Sequence, residues 1–154
     1  MSLRSIQRLP AYARAFLRGD LLIRQDVAGF TVPTQPVTRE RMIQLVQPLC
    51  STIITLDRVY SLCSVSDARR IVAWDKTNAA GFRREVGDCD DYVRGLFRNA
   101  PAYFGVTGFG LVIDYDAKHA FNIVVCAGEE LLYLEPQTDE WRSAARIGWG
   151  AIII

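Results

Sequence analysis

The chain has one histidine, four cysteines without a Cys-x-x-Cys pair, and a formal net charge of only +1. Each shortage excludes a class of function. One imidazole and unpaired cysteines do not supply a zinc site of the Cys/His type. A near-neutral chain lacks the basic surface that nucleic acid or an anionic membrane selects, so neither is expected as a partner. No apolar run reaches the roughly 18 residues of a membrane span. The N-terminus is interrupted by Arg4, Arg8, Pro10, Arg14 and Arg18, which leaves no apolar core for a secretion signal. Internal repeats, low-complexity segments and linkers are also lacking. A cytoplasmic protein is expected, with Cys50, Cys63 and Cys126 as reduced core residues.

What is present fits one folded unit. The 154 residues are 50% hydrophobic and 23% charged, enough for a core within a single domain over 1–154. Residues 1–50 read as a helical and extended segment of that domain. A loose helical stripe runs over 3–18, with a break near Pro10, and 21–32 reads as extended. Thr38 is placed to cap a helix through about residue 47. Residues 49–63 fit strand or helix equally. Ser66 is expected to cap the next helix, and 76–85 to form a loop. The second half changes character: strands are expected over 111–115, 120–126, 131–135 and 147–154, with a hairpin across Ala127-Gly128-Glu129-Glu130. Helices followed by consecutive strands predict an α+β fold, with helices packed on a mostly antiparallel sheet.

The most informative stretch is Gly87-Asp88-Cys89-Asp90-Asp91-Tyr92-Val93. Cys89, Tyr92, Val93, Leu96 and Phe97 recur at the spacing of a helix buried on one face. That helix is expected to end near Arg98, because Asn99 and Pro101 follow. Asp88 stands where an N-cap would, and Asp91 in the position of the second capping-box residue. The Cys89 thiol therefore sits in the first helical turn, where free N–H groups and the helix dipole favour a thiolate, while three nearby carboxylates oppose it.

His119 begins the second of the later strands, and the next strand ends Tyr133-Leu134-Glu135-Pro136-Gln137. The hairpin brings Glu135 and Gln137 towards His119, with Asn122 a further polar neighbour, and strand register decides which faces the ring. Such a partner would fix the imidazole tautomer. Cysteine at a helix start, histidine at a strand start and a polar orienter suit nucleophilic acyl transfer.

These blocks, Asp88-Cys89-Asp90-Asp91-Tyr92, His119-Ala120-Phe121-Asn122 and Leu134-Glu135-Pro136-Gln137-Thr138, resemble the papain-like and transglutaminase-like cysteine-nucleophile superfamily. They look most like the calcium-dependent cysteine-protease domain of a mushroom agglutinin and its small phage-encoded relatives. The resemblance covers roughly 57–142. It implies a papain-like fold, with Cys89 as nucleophile, His119 as base and Glu135 as orienter. It also implies a thiol peptidase or amidase that takes a peptide or protein substrate through a thioester. Two other outcomes are open: a noncatalytic structural or interaction protein that keeps the fold, and a transglutaminase-type amide transfer. The chain departs from papain-like peptidases at Arg83-Arg84-Glu85-Val86, where no Gln precedes the nucleophile to complete an oxyanion hole. Asp90, Asp91 and Glu135, with Asp88 and Gln137 nearby, are hard oxygen donors that suit Ca²⁺, and the resemblance to a calcium-dependent domain points the same way.

Overall fold

The computed structural model describes residues 29–79 and 88–154. The expected helical stripe over 3–18 and most of the extended segment over 21–32 lie outside them. Eight strands and three α-helices are seen among the described residues: β1 (Gln35–Thr38), α1 (Arg39–Val46), β2 (Ile53–Ile54), β3 (Val59–Leu62), α2 (Val65–Trp74), α3 (Cys89–Phe104), β4 (Phe109–Asp114), β5 (His119–Val125), β6 (Leu131–Glu135), β7 (Glu140–Ser143) and β8 (Gly150–Ile153). A single 3₁₀ turn, Thr77–Ala79, follows α2. The fold is α+β. A six-stranded sheet runs in the order β2-β8-β4-β5-β6-β7, and β1 pairs with β3 in a separate two-stranded sheet. The sheet is mixed, because β2 lies parallel to β8 while the other pairs are antiparallel.

Local chemistry explains most element boundaries. The Thr38 hydroxyl accepts the Arg41 N–H and starts α1, as expected of a threonine cap. Helix α2 begins two residues earlier than expected. Ser64, not Ser66, is its cap: Ser64 Oγ accepts the Asp67 N–H and donates to the Asp67 carboxylate. Helix α3 does not stop at Arg98. It runs through Pro101 to Phe104, where Gly105 in the left-handed conformation (φ 67°) returns its N–H to the Pro101 carbonyl. Proline costs one helical hydrogen bond, but Ala100 and Phe104 in the last turns are buried, and their packing holds the extra turn. Strand β8 is shorter than expected because the Asp116 carboxylate takes the Trp149 N–H just before it.

The sheet has two apolar faces. Leu134, Val124 and Phe109 pack with Leu96, Ala100 and Phe104 of α3 and with Ile71 of α2. On the other side Val112, Phe121, Ile123, Tyr133 and Ile152 pack with Met42 and Val46 of α1. Strand alternation assigns these residues to opposite faces. Asn122, fully buried on the α3 face, crosses between helix and sheet. Its amide donates to the Val93 carbonyl of α3 and the Gly110 carbonyl of β4. Gly110 is needed there, because a Cβ would lie 2.8 Å from both the Ile123 side chain and the Ile153 carbonyl oxygen.

Replacing Asn122 with Ala removes both bonds and leaves two carbonyls buried without that donor. Urea unfolding should show a loss of about 1–3 kcal/mol. An unchanged midpoint would mean that apolar packing alone positions α3.

Candidate functional site

The residues singled out in the sequence gather where the N-terminal end of α3 meets the β4–β5 turn. Register pairs Asp114 of β4 with His119 of β5. The intervening turn is tight: the Asp114 carboxylate accepts the Ala117 N–H, and Lys118 takes a positive φ of 52°. The turn fixes His119 at the strand start, and β5–β6 pairing brings Glu135 beside it. His119 Nε2 lies 2.6 Å from Glu135 Oε2. Of the three possible orienters, Glu135 holds this position. Asn122 is committed inside the core, and the Gln137 backbone N–H donates to Glu135 Oε1. With Nε2 engaged by the carboxylate, the ring orientation is set, and among the described residues no hydrogen bond is made at Nδ1.

Cys89 is the first residue of α3 and is partly exposed, whereas the other three cysteines are buried. It shares with His119 a shallow cavity of about 300 Å³, which Asp90, Asp114, Tyr115 and Lys118 also line. No hydrogen bond joins the Cys89 thiol to the His119 ring among the described residues. Strand alternation gives part of the reason: His119 shares the face of Phe121, with ring centroids 6.0 Å apart, while α3 covers the opposite face. The two side chains meet at the end of the sheet and not across it.

The carboxylates around Cys89 behave differently from expectation. Asp88 has the extended backbone of an N-cap but makes no side-chain cap bond. Its carboxyl instead pairs with that of Asp90, and this hydrogen bond, followed by desolvation, raises the Asp90 pKa against the lowering effect of Arg94. Arg94 holds Asp90 at 2.7 Å and Asp91 at 2.6 Å, so Asp91 serves an ion pair along the helix, not a capping box. Among the described residues no group of three or more His, Cys, Asp or Glu side chains is arranged to hold a metal ion. Asp90 and Asp91 pair with Arg94 and Glu135 with His119, and the three do not form such a group.

Beside the cavity stands a pair of aromatic side chains that belongs to none of the motifs above. Trp149 is 69% exposed and Tyr115 44%, and their rings lie 4.8 Å apart. Asp116 anchors the Trp149 backbone. An exposed indole paired with a phenol is a flat apolar platform with polar groups at its edge. The Gly148-Trp149-Gly150 sequence was the available signal, since an aromatic flanked by glycines is poorly placed to sit inside a strand.

The fold resembles that of a lectin. Polyporus squamosus lectin bound to the human-type influenza-binding epitope Neu5Acα2-6Galβ1-4GlcNAc matches with a TM-score of 0.62 and 17% identity, over 75% of this chain and 49% of the lectin chain. The PSL1a–E64 complex matches with a TM-score of 0.62 and 18% identity, over 75% of this chain and 50% of that one. The chain thus spans about half the length of the structures it matches. No family model matches it, and no curated protein does.

These findings correct the sequence reading of function. One structural neighbour is described as a lectin bound to a glycan epitope, and neither is described as a thiol peptidase. The assignment to a cysteine-nucleophile hydrolase is withdrawn, and with it the peptide or protein substrate and the transfer alternative. The Cys-Asp-Asp and Glu-Pro-Gln blocks reflect local geometry, a helix start and a hairpin end, and short blocks of this kind do not specify a reaction. In this structure the thiol and the imidazole line one cavity, with no hydrogen bond between them among the described residues. Among the described residues no helix is long and apolar enough to cross a membrane.

The environments of the thiols lead to a direct measurement. Burial, with Cys126 beside it, pushes Cys63 up to about 12, and burial pushes Cys126 up to about 11. At pH 8 about one Cys63 thiol in 10⁴ is ionised. Iodoacetamide should therefore label Cys89 first in the folded protein, with Cys50, Cys63 and Cys126 reacting only on unfolding. Mass mapping that finds Cys63 or Cys126 labelled as fast as Cys89 would contradict this arrangement.

Proposed function

We propose that this chain is a noncatalytic carbohydrate-binding module whose site is the Tyr115–Trp149 platform with the adjoining Cys89–His119 cavity. The observation that carries the reading is the exposed, anchored indole of Trp149 beside a largely apolar cavity whose lining includes Asp114, Lys118 and His119. The C–H face of a pyranose stacks on an aromatic ring and removes apolar surface from water. Its hydroxyls then need fixed donors and acceptors at the edge. Asp114 and Lys118 stand there, and His119 is held by Glu135. Cys89, His119 and Glu135 are proposed here as the polar wall of a binding site. The sialylated trisaccharide of the Polyporus squamosus lectin structure supports carbohydrate as the ligand class. It was bound by a chain of which this one covers 49%, so that glycan is one candidate among others. A papain-like arrangement is proposed as a description of the fold only. A helix that opens on Cys89 and packs on antiparallel strands supports it, and no catalytic step is drawn from it.

Glycan-array screening followed by titration of intrinsic fluorescence tests the reading. Trp149 is the exposed indole, so a saturable change is expected with a binding glycan. Trp149→Ala should weaken binding tenfold or more, about 1.4 kcal/mol, without altering the thermal midpoint, because little of the side chain is buried. The same glycan should slow alkylation of Cys89. Absence of binding across the array, or full affinity in Trp149→Ala, would reject the platform as the site.

A further inference from the structure

On the other side of Asp114 lies a second cavity, of about 270 Å³, whose lining includes Asp114, Asp116, Phe121, Tyr133, Arg142 and Arg146. Arg142 belongs to the edge strand β7 and stands opposite Tyr133 in register. Its guanidinium lies 4.9 Å from the centroid of the Phe121 ring and 5.7 Å from that of Tyr133. Stacking uses the faces of the guanidinium plane and leaves its in-plane N–H groups free, already oriented. Neither Arg142 nor Arg146 forms an ion pair among the described residues, although other arginines do: Arg41 with Glu129, Arg70 with Asp67, and Arg94 with Asp90 and Asp91. The two carboxylates of the cavity, Asp114 and Asp116, form no ion pair with either arginine among the described residues; Asp114 accepts the Ala117 N–H and Asp116 the Trp149 N–H.

We infer that this cavity is an oxyanion subsite that takes the acidic group of a charged sugar. This rests on the carbohydrate reading above and extends it from a ligand class to a charge. Guanidinium groups free for a forked contact match a carboxylate or a sulfate ester. Asp114 and Asp116, which line the same cavity, accept hydroxyl donors from the same sugar. The volume is near the lower end for ligand pockets and fits a single ring. Asp116 joins the subsite to the platform, because it lines the cavity and accepts the Trp149 N–H.

The test uses the full chain, ¹⁵N-labelled, titrated with glucose, glucuronate and glucose 6-sulfate while the arginine Nε–Hε signals are followed. The charged sugars should bind at least tenfold more tightly than glucose and move the Arg142 and Arg146 signals, with the advantage shrinking as salt rises. Comparison of the two charged sugars identifies carboxylate or sulfate ester as the preferred group. Arg146→Gln should remove the preference, and Arg142→Lys should weaken it, since an ammonium keeps the charge but not the fork. Equal affinity for charged and neutral sugars, or an unchanged preference in folded Arg146→Gln, overturns the subsite while leaving the Trp149 platform standing. If no sugar binds but inorganic sulfate alone moves both arginine signals, the carbohydrate reading fails and the oxyanion subsite is supported.

Discussion

The amide of Asn122 is the interaction on which the placement of the site depends. It is buried on β5 and donates to one carbonyl on α3 and one on β4, so a single side chain sets how far the helix stands from the sheet and where along it. Two consequences follow from that position. Cys89 opens α3 above the end of β4, and the Asp114–His119 pair closes β4 and β5 just below it. Any slide of the helix would move the upper wall of the cavity relative to the lower one. Buried polar bonds of this kind specify one arrangement among several that apolar packing would tolerate.

The site is built from strand ends and turns, which is typical of binding surfaces positioned by a rigid scaffold. Asp114, Tyr115, Asp116, Lys118 and His119 all belong to one hairpin turn, and Trp149 is held against it by a backbone bond to Asp116. Polar and aromatic groups are thus presented on a short, constrained connection whose conformation includes a positive φ at Lys118. Such rigidity lowers the entropy lost on binding.

The sequence was legible where a pattern is local. The stripe from Cys89 to Phe97 gives α3, Thr38 gives the start of α1, and the apolar runs around Val112, Ile123 and Leu132 give β4, β5 and β6. Glu135 beside His119 follows from hairpin geometry once the register is known. What depended on distant partners was not legible. Strands β1 and β3 form through each other, and neither Gln35–Thr38 nor Val59–Leu62 alternates cleanly. Strand β7 shows Trp141 on one face and Arg142 on the other, yet the arginine is placed on an aromatic pair that only the folded sheet brings together. The reaction class was misread for a related reason. The spacing of Cys89, His119 and Glu135 along the chain says that they can meet. It does not say whether the thiol bonds to the ring.

The position of β8 has a consequence for how the molecule folds. Residues 150–153 form an interior strand, antiparallel to β4 on one side and parallel to β2 on the other, a span of roughly a hundred positions from β2. These pairings are among the most distant in the chain, and distant pairings are slow to form. Until they do, β4 presents an unpaired edge, and the apolar surface that Ile152 covers is open to solvent. A nascent or partly unfolded chain therefore exposes a sticky edge next to an unfilled slot of defined register. Until β8 is in place, that edge is open to pairing with a strand from another molecule.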